Sequence, residues 1–286
     1  MKKLITCLFL SCIFLSADST VVQADFIYVS GGGGGTLDTI WKIDSSGTCS
    51  PFASHGNTWG LAFDSNGTLY AANWDSPGSI GKFDSSGNMS IFASTGLDSL
   101  PMGIAFDSSG NLYAACSDGM VKKFDSSGSD SNFASGLNLP RGLAFDGGYL
   151  YVADYSDGTI EKFASDGNGS TFASGLSGPA ALAFDDSGYL YVANHSAGTI
   201  EKFDPNGSSF TFASGLSSPS GLAFDSSGYL YVSNYGTETI EKFDSSGNQS
   251  TFASGISCPV GITVIPEPAT FALLGLGALS LIRRKK

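Results

Sequence analysis

The sequence predicts an all-β protein, a six-bladed β-propeller of four-stranded blades, and two observations predict it. The phrase Gly-Leu-Ala-Phe-Asp recurs at 60–64, 142–146 and 221–225, with variants at 103–107 and 181–185. Between these phrases lie short runs rich in aromatic and β-branched residues, four to each unit, separated by turn residues. A fixed period near 40 residues with four strands per unit is typical of propeller blades.

One unit shows how its strands are defined. From Ser220 onward the predicted strands are 221–224, 229–233, 239–243 and 250–253. Asp-Ser-Ser-Gly separates the first pair and again the last pair. The Asp side chain can accept hydrogen bonds from its own turn and the Gly accepts a positive φ, so each tetrapeptide predicts a tight hairpin turn.

The second strand of the unit gives the blade count. It occurs six times, at 26–30, 68–72, 111–115, 149–153, 189–193 and 229–233. The first unit lacks an opening strand, whereas 260–264 is an opening strand without successors. We therefore predict that the C-terminal strand becomes the innermost strand of the N-terminal blade and closes the ring, which removes its free sheet edges.

The N-terminal segment predicts export. Two lysines precede an uncharged run, Leu4–Leu15, and a polar stretch that ends in Val22-Gln23-Ala24. This order is typical of a secretory signal peptide, residues 1–24, with cleavage expected after Ala24. A buried N-terminal strand or helix is the alternative.

The C-terminal segment, residues 266–286, combines Pro266-Glu267-Pro268, an uncharged run at 271–282 and the basic end Arg283–Lys286. As a helix, the 14 residues 269–282 reach only about 21 Å, less than a hydrocarbon core of about 30 Å. The segment resembles the PEP-CTERM sorting signal. That resemblance implies export, an exosortase-type membrane protease as partner together with secretion machinery, and a cell-envelope or extracellular location with transient or stable anchoring. A plain C-terminal anchor is the alternative.

Composition limits the partners of the region 25–265. The chain has 14 Lys and Arg and 26 Asp and Glu. The two end segments hold six of the basic residues and two of the acidic ones, so the net charge of residues 25–265 is about −16. Such an acidic protein repels phosphates, so no nucleic acid partner is expected. Cys49, Cys116 and Cys258 remain, an odd number that leaves at least one thiol unpaired.

The repeat unit Pro-x-Gly-Leu-Ala-Phe-Asp-x-x-Gly-Tyr-Leu-Tyr-Val-Ala-Asn resembles the NHL repeat and the SMP-30/gluconolactonase-like propellers over residues 26–265. In those lactonases, carboxylates and amides converge on a divalent metal in the channel, and one of them directly precedes the Gly of the opening strand. The corresponding residues here are Trp59, Met102, Arg141, Ala180, Ser220 and Val260. None is a carboxylate or amide, so we expect no metal site and no cofactor.

Catalytic motifs are also missing from the sequence. Streptogramin-lyase-like propellers use His residues in channel loops, but the loops of His55 and His195 do not resemble that motif, and a solvated loop histidine is the simpler interpretation. No Gly-x-Ser-x-Gly elbow or phosphate-binding loop is present. We therefore expect a non-catalytic binding or scaffold module, with a lyase or hydrolase of the propeller type as the alternative.

Polar residues end the second strand in most blades. They are Asn73, Asp154, Asn194 and Asn234, with Ser30 and Cys116 assigned to the other two blades. As a ring around the channel they could hold a cation or sugar hydroxyls. Alternatively, each caps its own turn through side-chain to backbone hydrogen bonds.

Non-repeating aromatic and polar residues are predicted on the loop face, where the loop before the first strand meets the loop after the second. The predicted binding residues are Trp59, Trp74, Arg141, Asp154, Tyr155, Asn194, His195, Asn234 and Tyr235. Aromatic faces with amides and an Arg suit a carbohydrate, so an extracellular polysaccharide or a surface protein is the expected ligand. Two alternatives remain, namely that these rings pack between blades and that the repeats form a scaffold without a specific ligand.

Overall fold

The computed structural model describes residues 25–31, 38–97 and 99–265, apart from the side chain of His55. These residues form 24 strands in six four-stranded antiparallel sheets arranged as a closed ring. The predicted six-bladed propeller is therefore confirmed. The predicted signal peptide (residues 1–24), the Pro266-Glu267-Pro268 motif and the apolar segment after it lie outside the described residues.

Each blade is given from its innermost to its outermost strand. Blade 1 consists of β24 (Pro259–Ile265), β1 (Phe26–Gly31), β2 (Asp38–Ile43) and β3 (Cys49–His55). Blade 2 consists of β4 (Thr58–Phe63), β5 (Leu69–Asn73), β6 (Gly78–Phe83) and β7 (Met89–Gly96). Blade 3 consists of β8 (Pro101–Phe106), β9 (Leu112–Cys116), β10 (Val121–Phe124) and β11 (Asp130–Ala134).

The remaining three blades follow the same order without interruption of the chain. Blade 4 consists of β12 (Pro140–Asp146), β13 (Tyr149–Asp154), β14 (Thr159–Phe163) and β15 (Gly169–Ala173). Blade 5 consists of β16 (Pro179–Phe184), β17 (Leu190–Asn194), β18 (Thr199–Phe203) and β19 (Ser209–Ser214). Blade 6 consists of β20 (Pro219–Phe224), β21 (Leu230–Asn234), a short 3-10 helix (Tyr235–Thr237), β22 (Thr239–Phe243) and β23 (Gln249–Ser254).

The ring closes as predicted. Strand β24 pairs antiparallel with β1, with Ile27 opposite Val264 and Val29 opposite Ile262. The hydroxyl of Ser30 strengthens this junction: it donates to the carbonyl of Trp59 in blade 2 at 2.7 Å and accepts from the amide of Gly261 at 2.8 Å. Because Ser30 is fully buried, these bonds join blade 1 to blade 2 away from competing water.

The predicted hairpin turns are present on the face opposite the loop face, which we call the turn face. In the turn Asp225–Gly228, Oδ1 of Asp225 accepts from the amides of Ser227 and Tyr229, and Gly228 has a φ of 82°. The same geometry recurs at Asp84, where a hydrogen bond from the Asn88 side chain is the main cause of a lowered pKa. The repeated aspartates are therefore turn-forming residues, and they place much of the negative charge on the turn face.

Recurring aromatic residues pack between blades. Tyr151 in β13 makes edge-to-face contacts with Phe172 in its own blade and with Phe184 in blade 5, at centroid distances of 5.2 and 4.9 Å. Equivalent contacts follow at four other junctions, whereas Tyr231 meets β24 through the cluster that holds Ile262 and Val264. The repeat residues that dominate the sequence thus form the core between blades.

Small residues are needed where the innermost strands approach one another. A Cβ added to Gly103 would lie 1.9 Å from the carbonyl oxygen of Arg141, and one added to Gly261 would lie 2.0 Å from that of Trp59. Five innermost strands carry Gly at this position and β16 carries Ala181. The first residue of the Gly-Leu-Ala-Phe-Asp phrase is therefore small because the neighbouring blade leaves no room for a larger side chain.

One detail of the strands differs from the sequence predictions. The innermost strands begin at Pro in five blades, as at Pro219, two residues earlier than predicted, because the first position of a strand does not require an N–H donor. All three described cysteines are unpaired, and burial raises the pKa of Cys116 to about 11. Within the described residues, no helix is long and apolar enough to cross a membrane.

Candidate functional site at the channel mouth

The two loops predicted to share a face are hydrogen-bonded to each other in blades 2 to 6, and in blade 1 the loop after the second strand lies outside the described residues. In blade 5 the side-chain oxygen of Asn194 accepts from the amide of Ser177 at 2.6 Å, and the amide of His195 donates to the carbonyl of Gly178 at 3.0 Å. The residue after the second strand is thereby held beside the residues that lead into the innermost strand. These hydrogen bonds fix the two loops relative to each other, so the loop face is an ordered surface.

Three residues of the predicted polar ring form these loop contacts, whereas Asn73 bonds the hydroxyls of Thr58 and Ser79 within the sheet of blade 2. Asp154 accepts from the amide of Asn138 at 2.9 and 3.0 Å, and Asn234 accepts from the amide of Ser217 at 2.7 Å. Both side chains are buried, as is Asn194. The structure thus places Asp154, Asn194 and Asn234 behind the channel wall, where each joins two loops of its own blade.

The assignment of Ser30 to that ring is wrong by one residue. Ser30 pairs with Ile40, as Ser233 pairs with Ile240, whereas Gly31 occupies the position of Asn234, opposite a Thr in the next strand. The shift reverses which face of the sheet the side chain meets. Ser30 therefore points to the junction between blades 1 and 2, where it makes the hydrogen bonds described above.

The channel mouth is a cavity of about 600 Å³ on the loop face. Each innermost strand contributes the recurring small residue and the residues on either side of it, for example Trp59-Gly60-Leu61. Asn57, His195 and Tyr235 complete the wall. Arg141 is the only permanently charged residue among the described residues of this wall, which contains no carboxylate.

Arg141 is held between aromatic rings. Its guanidinium carbon lies 3.5 Å from the centroid of the Tyr155 ring and 5.3 Å from that of Trp59 in blade 2. Its Nε is buried and has no hydrogen-bond partner, and among the described residues Arg141 forms no ion pair. Burial lowers the pKa of Arg141, but a guanidinium remains protonated in proteins, so the wall carries a cation without a counter-ion.

Tyr155 and His195 continue the stack into blade 5. The Tyr155 hydroxyl lies 3.4 Å from Nδ1 of His195 and 3.5 Å from Oγ of Ser196. On the other side of the ring, a Cβ added to Gly178 would come within 2.9 Å of it, so glycine makes room for Tyr155. Burial, and to a lesser extent the charge of Arg141, lower the pKa of His195, so this imidazole is neutral at pH 7.

Two further aromatic groups lie on the same face. Trp59 contacts Trp74 edge to face at a centroid distance of 4.5 Å, within blade 2. Tyr235 is 38 % exposed, and a hydrogen bond with Cys258 is the main cause of its raised pKa. Trp59, Trp74, Arg141, Tyr155 and His195 thus form one continuous chain of contacts, and Tyr235 lines the same cavity separately.

The cations elsewhere in the described ring have different surroundings. One lysine recurs in the third strand of each blade, six in all, and each lies near an aromatic ring of the second strand or its flank. Lys162, for example, lies 4.2 Å from the centroid of Tyr149. The remaining one, Lys122, is paired with Asp130 at 3.2 Å. Arg141 is therefore the one cation of the described propeller that neither the repeat nor an ion pair explains.

Some wall residues were not predicted as binding residues from the sequence. Asn57 precedes β4, and no periodic signal marks it because its blade has an irregular loop. The residue after each recurring small residue forms an apolar collar: Leu61, Ile104, Leu143, Leu182, Leu222 and Ile262. The constant Leu or Ile at that position in the repeat is the signal that could have identified it.

The position that holds a metal ligand in the lactonases lines the cavity in all six blades, here as Trp59, Met102, Arg141, Ala180, Ser220 and Val260. Within the described part of the chain, no group of three or more His, Cys, Asp and Glu side chains is placed to hold a metal ion. His55 belongs to β3, and its side chain lies outside the described residues.

Comparison with known proteins identifies the C-terminal segment and the fold. Residues 264–286 match the PEP-CTERM protein-sorting motif, as the sequence predicted. The motif is a signal for export, C-terminal membrane anchoring and exosortase-dependent processing. No curated protein matches the chain.

Several solved structures are similar in fold. A chain of the nidogen–laminin complex has a TM-score of 0.73 at 22 % identity, with 84 % of this chain and 98 % of that chain covered. Virginiamycin B lyase from Staphylococcus aureus has a TM-score of 0.63 at 13 % identity, with coverage of 82 % and 87 %. The catalytically inactive form of that lyase with quinupristin has a TM-score of 0.63 at 14 % identity, with coverage of 86 % and 94 %. At these identities the similarity shows the fold alone.

Proposed function

We propose that this exported propeller is a non-catalytic binding module whose channel mouth binds an extracellular polysaccharide. The observation that carries the proposal is the cavity of about 600 Å³, in which aromatic residues and one unpaired cation meet on the loop face. Rings of this kind stack on the C–H surfaces of sugars, and hydroxyls of a sugar find partners in Asn57, Ser220 and Tyr235.

The location supports a polymer as ligand. The sorting motif directs the protein to a membrane from which the propeller faces the outside of the cell. Because the cavity opens at one face of the ring, it can bind one segment of a polysaccharide whose other units extend into solvent. The acidic turn face, at the other end of the ring, disfavours binding of anionic polymers there.

The proposal is tested by calorimetric titration of the full-length chain, purified in detergent, with the extracellular polysaccharide of its host. We expect saturable heat, and a loss of at least tenfold in affinity for Trp59→Ala. Phe210→Ser, at an exposed position of outer strand β19, is the matched control and should bind like the wild type. Thermal unfolding of each variant verifies that the ring is intact.

Calcium and chelator arms of the same titration examine a metal requirement. Equal affinity with Ca²⁺ and with chelator is expected, because the described wall has no carboxylate. No heat in any arm would exclude polysaccharide binding and favour a protein partner or a scaffold role.

A lyase of cyclic peptides is the second candidate, because the fold resembles virginiamycin B lyase and His195 borders the channel mouth. A neutral imidazole at 3.4 Å from a hydroxyl has the geometry to exchange a proton with it. Incubation with quinupristin and chromatographic detection of a ring-opened product test this candidate. An unchanged substrate is the result that the binding-module proposal predicts.

A further inference from the structure

We infer that the channel mouth selects an acidic saccharide, whose carboxylate binds Arg141. This inference rests on the proposed function and adds the chemical class of the ligand. Four observations carry it: the charge of the wall, the unpaired state of Arg141, its orientation between rings, and its position within the cavity.

The charge of the wall is the first observation. The propeller region carries a net charge of about −16, yet its described channel wall contains one cation and no carboxylate. The aspartates of the repeat lie in turns on the opposite face, as at Asp84 and Asp225. An anion at the mouth therefore meets the turn-face aspartates only at a distance and Arg141 in direct contact, where screening by water is weakest.

The unpaired state of Arg141 is the second observation. A guanidinium has five N–H donors in a planar fork that matches a carboxylate, and here Nε is buried without a partner. Burial of a charge without a counter-ion is unfavourable in the free protein. A ligand carboxylate in the cavity supplies the missing counter-charge and accepts hydrogen bonds from the N–H groups of the guanidinium that face the cavity.

The orientation of Arg141 is the third observation. Tyr155 lies against its guanidinium at 3.5 Å, and Gly178 leaves the space that this ring occupies. A stacked guanidinium has lost much of its conformational freedom before a ligand arrives, so less entropy is lost on binding. The stack leaves the edge of the fork, which bears the donors, as the part available to a ligand.

The position of Arg141 distinguishes a sugar acid from a free anion. Trp59 lies 5.3 Å from the guanidinium across the mouth, and the apolar collar forms the floor of the cavity. A pyranose ring that stacks on Trp59 brings a carboxylate substituent within reach of Arg141. Inorganic anions would gain only the charge contact, so we expect them to bind weakly.

The experiment compares three probes on the full-length chain in detergent: oligogalacturonate, its methyl ester of the same length, and inorganic sulfate. Esterification removes the charge and keeps the sugar rings. We expect the acid to bind at least tenfold more tightly than the ester, and sulfate to bind more weakly than either. In Arg141→Ala the acid and the ester should bind equally.

Two further variants separate a specific contact from general electrostatics. Arg141→Lys keeps the charge but loses the planar fork, so we expect an intermediate affinity for the acid. Lys162→Ala removes a cation of the repeat that stacks on Tyr149, away from the cavity, and should bind the acid like the wild type. An equal loss in Lys162→Ala and Arg141→Ala would overturn the inference.

The outcomes also separate this inference from the proposed function. If acid and ester bind equally and both are weakened by Trp59→Ala, the module binds saccharides and the inference about the acid is wrong. If neither oligogalacturonate nor its ester binds while the host polysaccharide does, only the inference is wrong; if the host polysaccharide also fails to bind, the proposed function is wrong as well. Tightest binding by sulfate would mean that the site recognises an anion without the sugar, which also overturns the inference.

Discussion

The guanidinium of Arg141 stacks on the ring of Tyr155 at 3.5 Å, so the one permanent charge of the described channel wall is held in a fixed orientation. Both residues belong to blade 4, Arg141 on its innermost strand β12 and Tyr155 directly after β13. At the position of Arg141 the other five blades carry uncharged residues. In blade 2 this residue is Trp59, which approaches the same guanidinium. This asymmetry within a repetitive ring is the reason that we propose a specific site on this face.

Loss of the Tyr155 ring should weaken ligand binding even though the charge of Arg141 is kept. In Tyr155→Leu, Arg141 loses its aromatic support. A cation–π contact is worth about 0.5–2 kcal/mol, and because it is present with and without ligand, affinity for an acidic oligosaccharide should fall by at most about 30-fold. Tyr155→Phe keeps the ring and is the matched control, with affinity close to that of the wild type. Calorimetry measures both, and equal affinity of Tyr155→Leu and the wild type would show that the stack does not position Arg141.

Binding of an acidic ligand should strengthen as pH falls from 7 to 5. His195 contacts Tyr155, and burial together with the nearby charge of Arg141 lowers the pKa of His195, which is neutral at pH 7. A bound carboxylate offsets the charge of Arg141 and raises the pKa of His195, so binding takes up a proton. Affinity therefore rises as pH falls through the His195 pKa of the complex, by up to about tenfold for each unit of change in pKa.

His195→Gln provides the control for this pH dependence. Without a titrating imidazole, the affinity should be nearly constant between pH 5 and 7, where the ligand carboxylate and the guanidinium keep their charges. If the affinity still depends on pH in His195→Gln, a group other than His195 causes the dependence.

The hydroxyl of Ser30 should contribute measurably to stability at the closure of the ring. Ser30→Ala leaves the buried amide of Gly261 and the carbonyl of Trp59 without this partner, which costs about 1–3 kcal/mol. Ser233 occupies the equivalent position in blade 6, but its Oγ is buried without a hydrogen-bond partner. Ser233→Ala should therefore change the free energy of unfolding little, and urea unfolding of both variants checks the difference.

The size limit at the innermost strands predicts another pair of variants. Gly103→Ala places a Cβ on the carbonyl oxygen of Arg141, so blades 3 and 4 must separate, at a cost of about 1–3 kcal/mol. Ala181→Gly at the equivalent position of β16 removes a methyl group that fits, and should cost only about 0.5–1 kcal/mol. Equal unfolding midpoints for Gly103→Ala and the wild type would contradict the close approach of these strands.

The fold could be predicted from the sequence because the determinants of the blades recur. Each unit repeats its Tyr and its Phe, and most units carry an Asp-Ser-Ser-Gly turn or a close variant of it. The unpaired strand at 260–264 indicates the closure of the ring. Packing between blades, as of Tyr151 against Phe184, uses these same residues, so the repeat and the core coincide. The register of blade 1 was misassigned at Ser30 because its glycine-rich segment has no counterpart in the other units.

The site was predicted less completely, because it depends on residues that do not repeat. Sequence position alone placed Trp59, Arg141 and His195 on the loop face. It did not distinguish them from Asp154, Asn194 and Asn234, which are polar but buried in hydrogen bonds between loops. The contact of Arg141 with Trp59 joins blades 4 and 2, and no spacing in the sequence reveals a contact across the channel.

The location of a bound oligosaccharide tests the central claim most directly. A crystal structure of the propeller with oligogalacturonate should show the sugar in the cavity on the loop face, with its carboxylate oxygens about 2.7–2.9 Å from the guanidinium nitrogens of Arg141 and a pyranose ring against Trp59. Density for the sugar on the turn face or along the outer strands, with the channel mouth empty, would contradict the account.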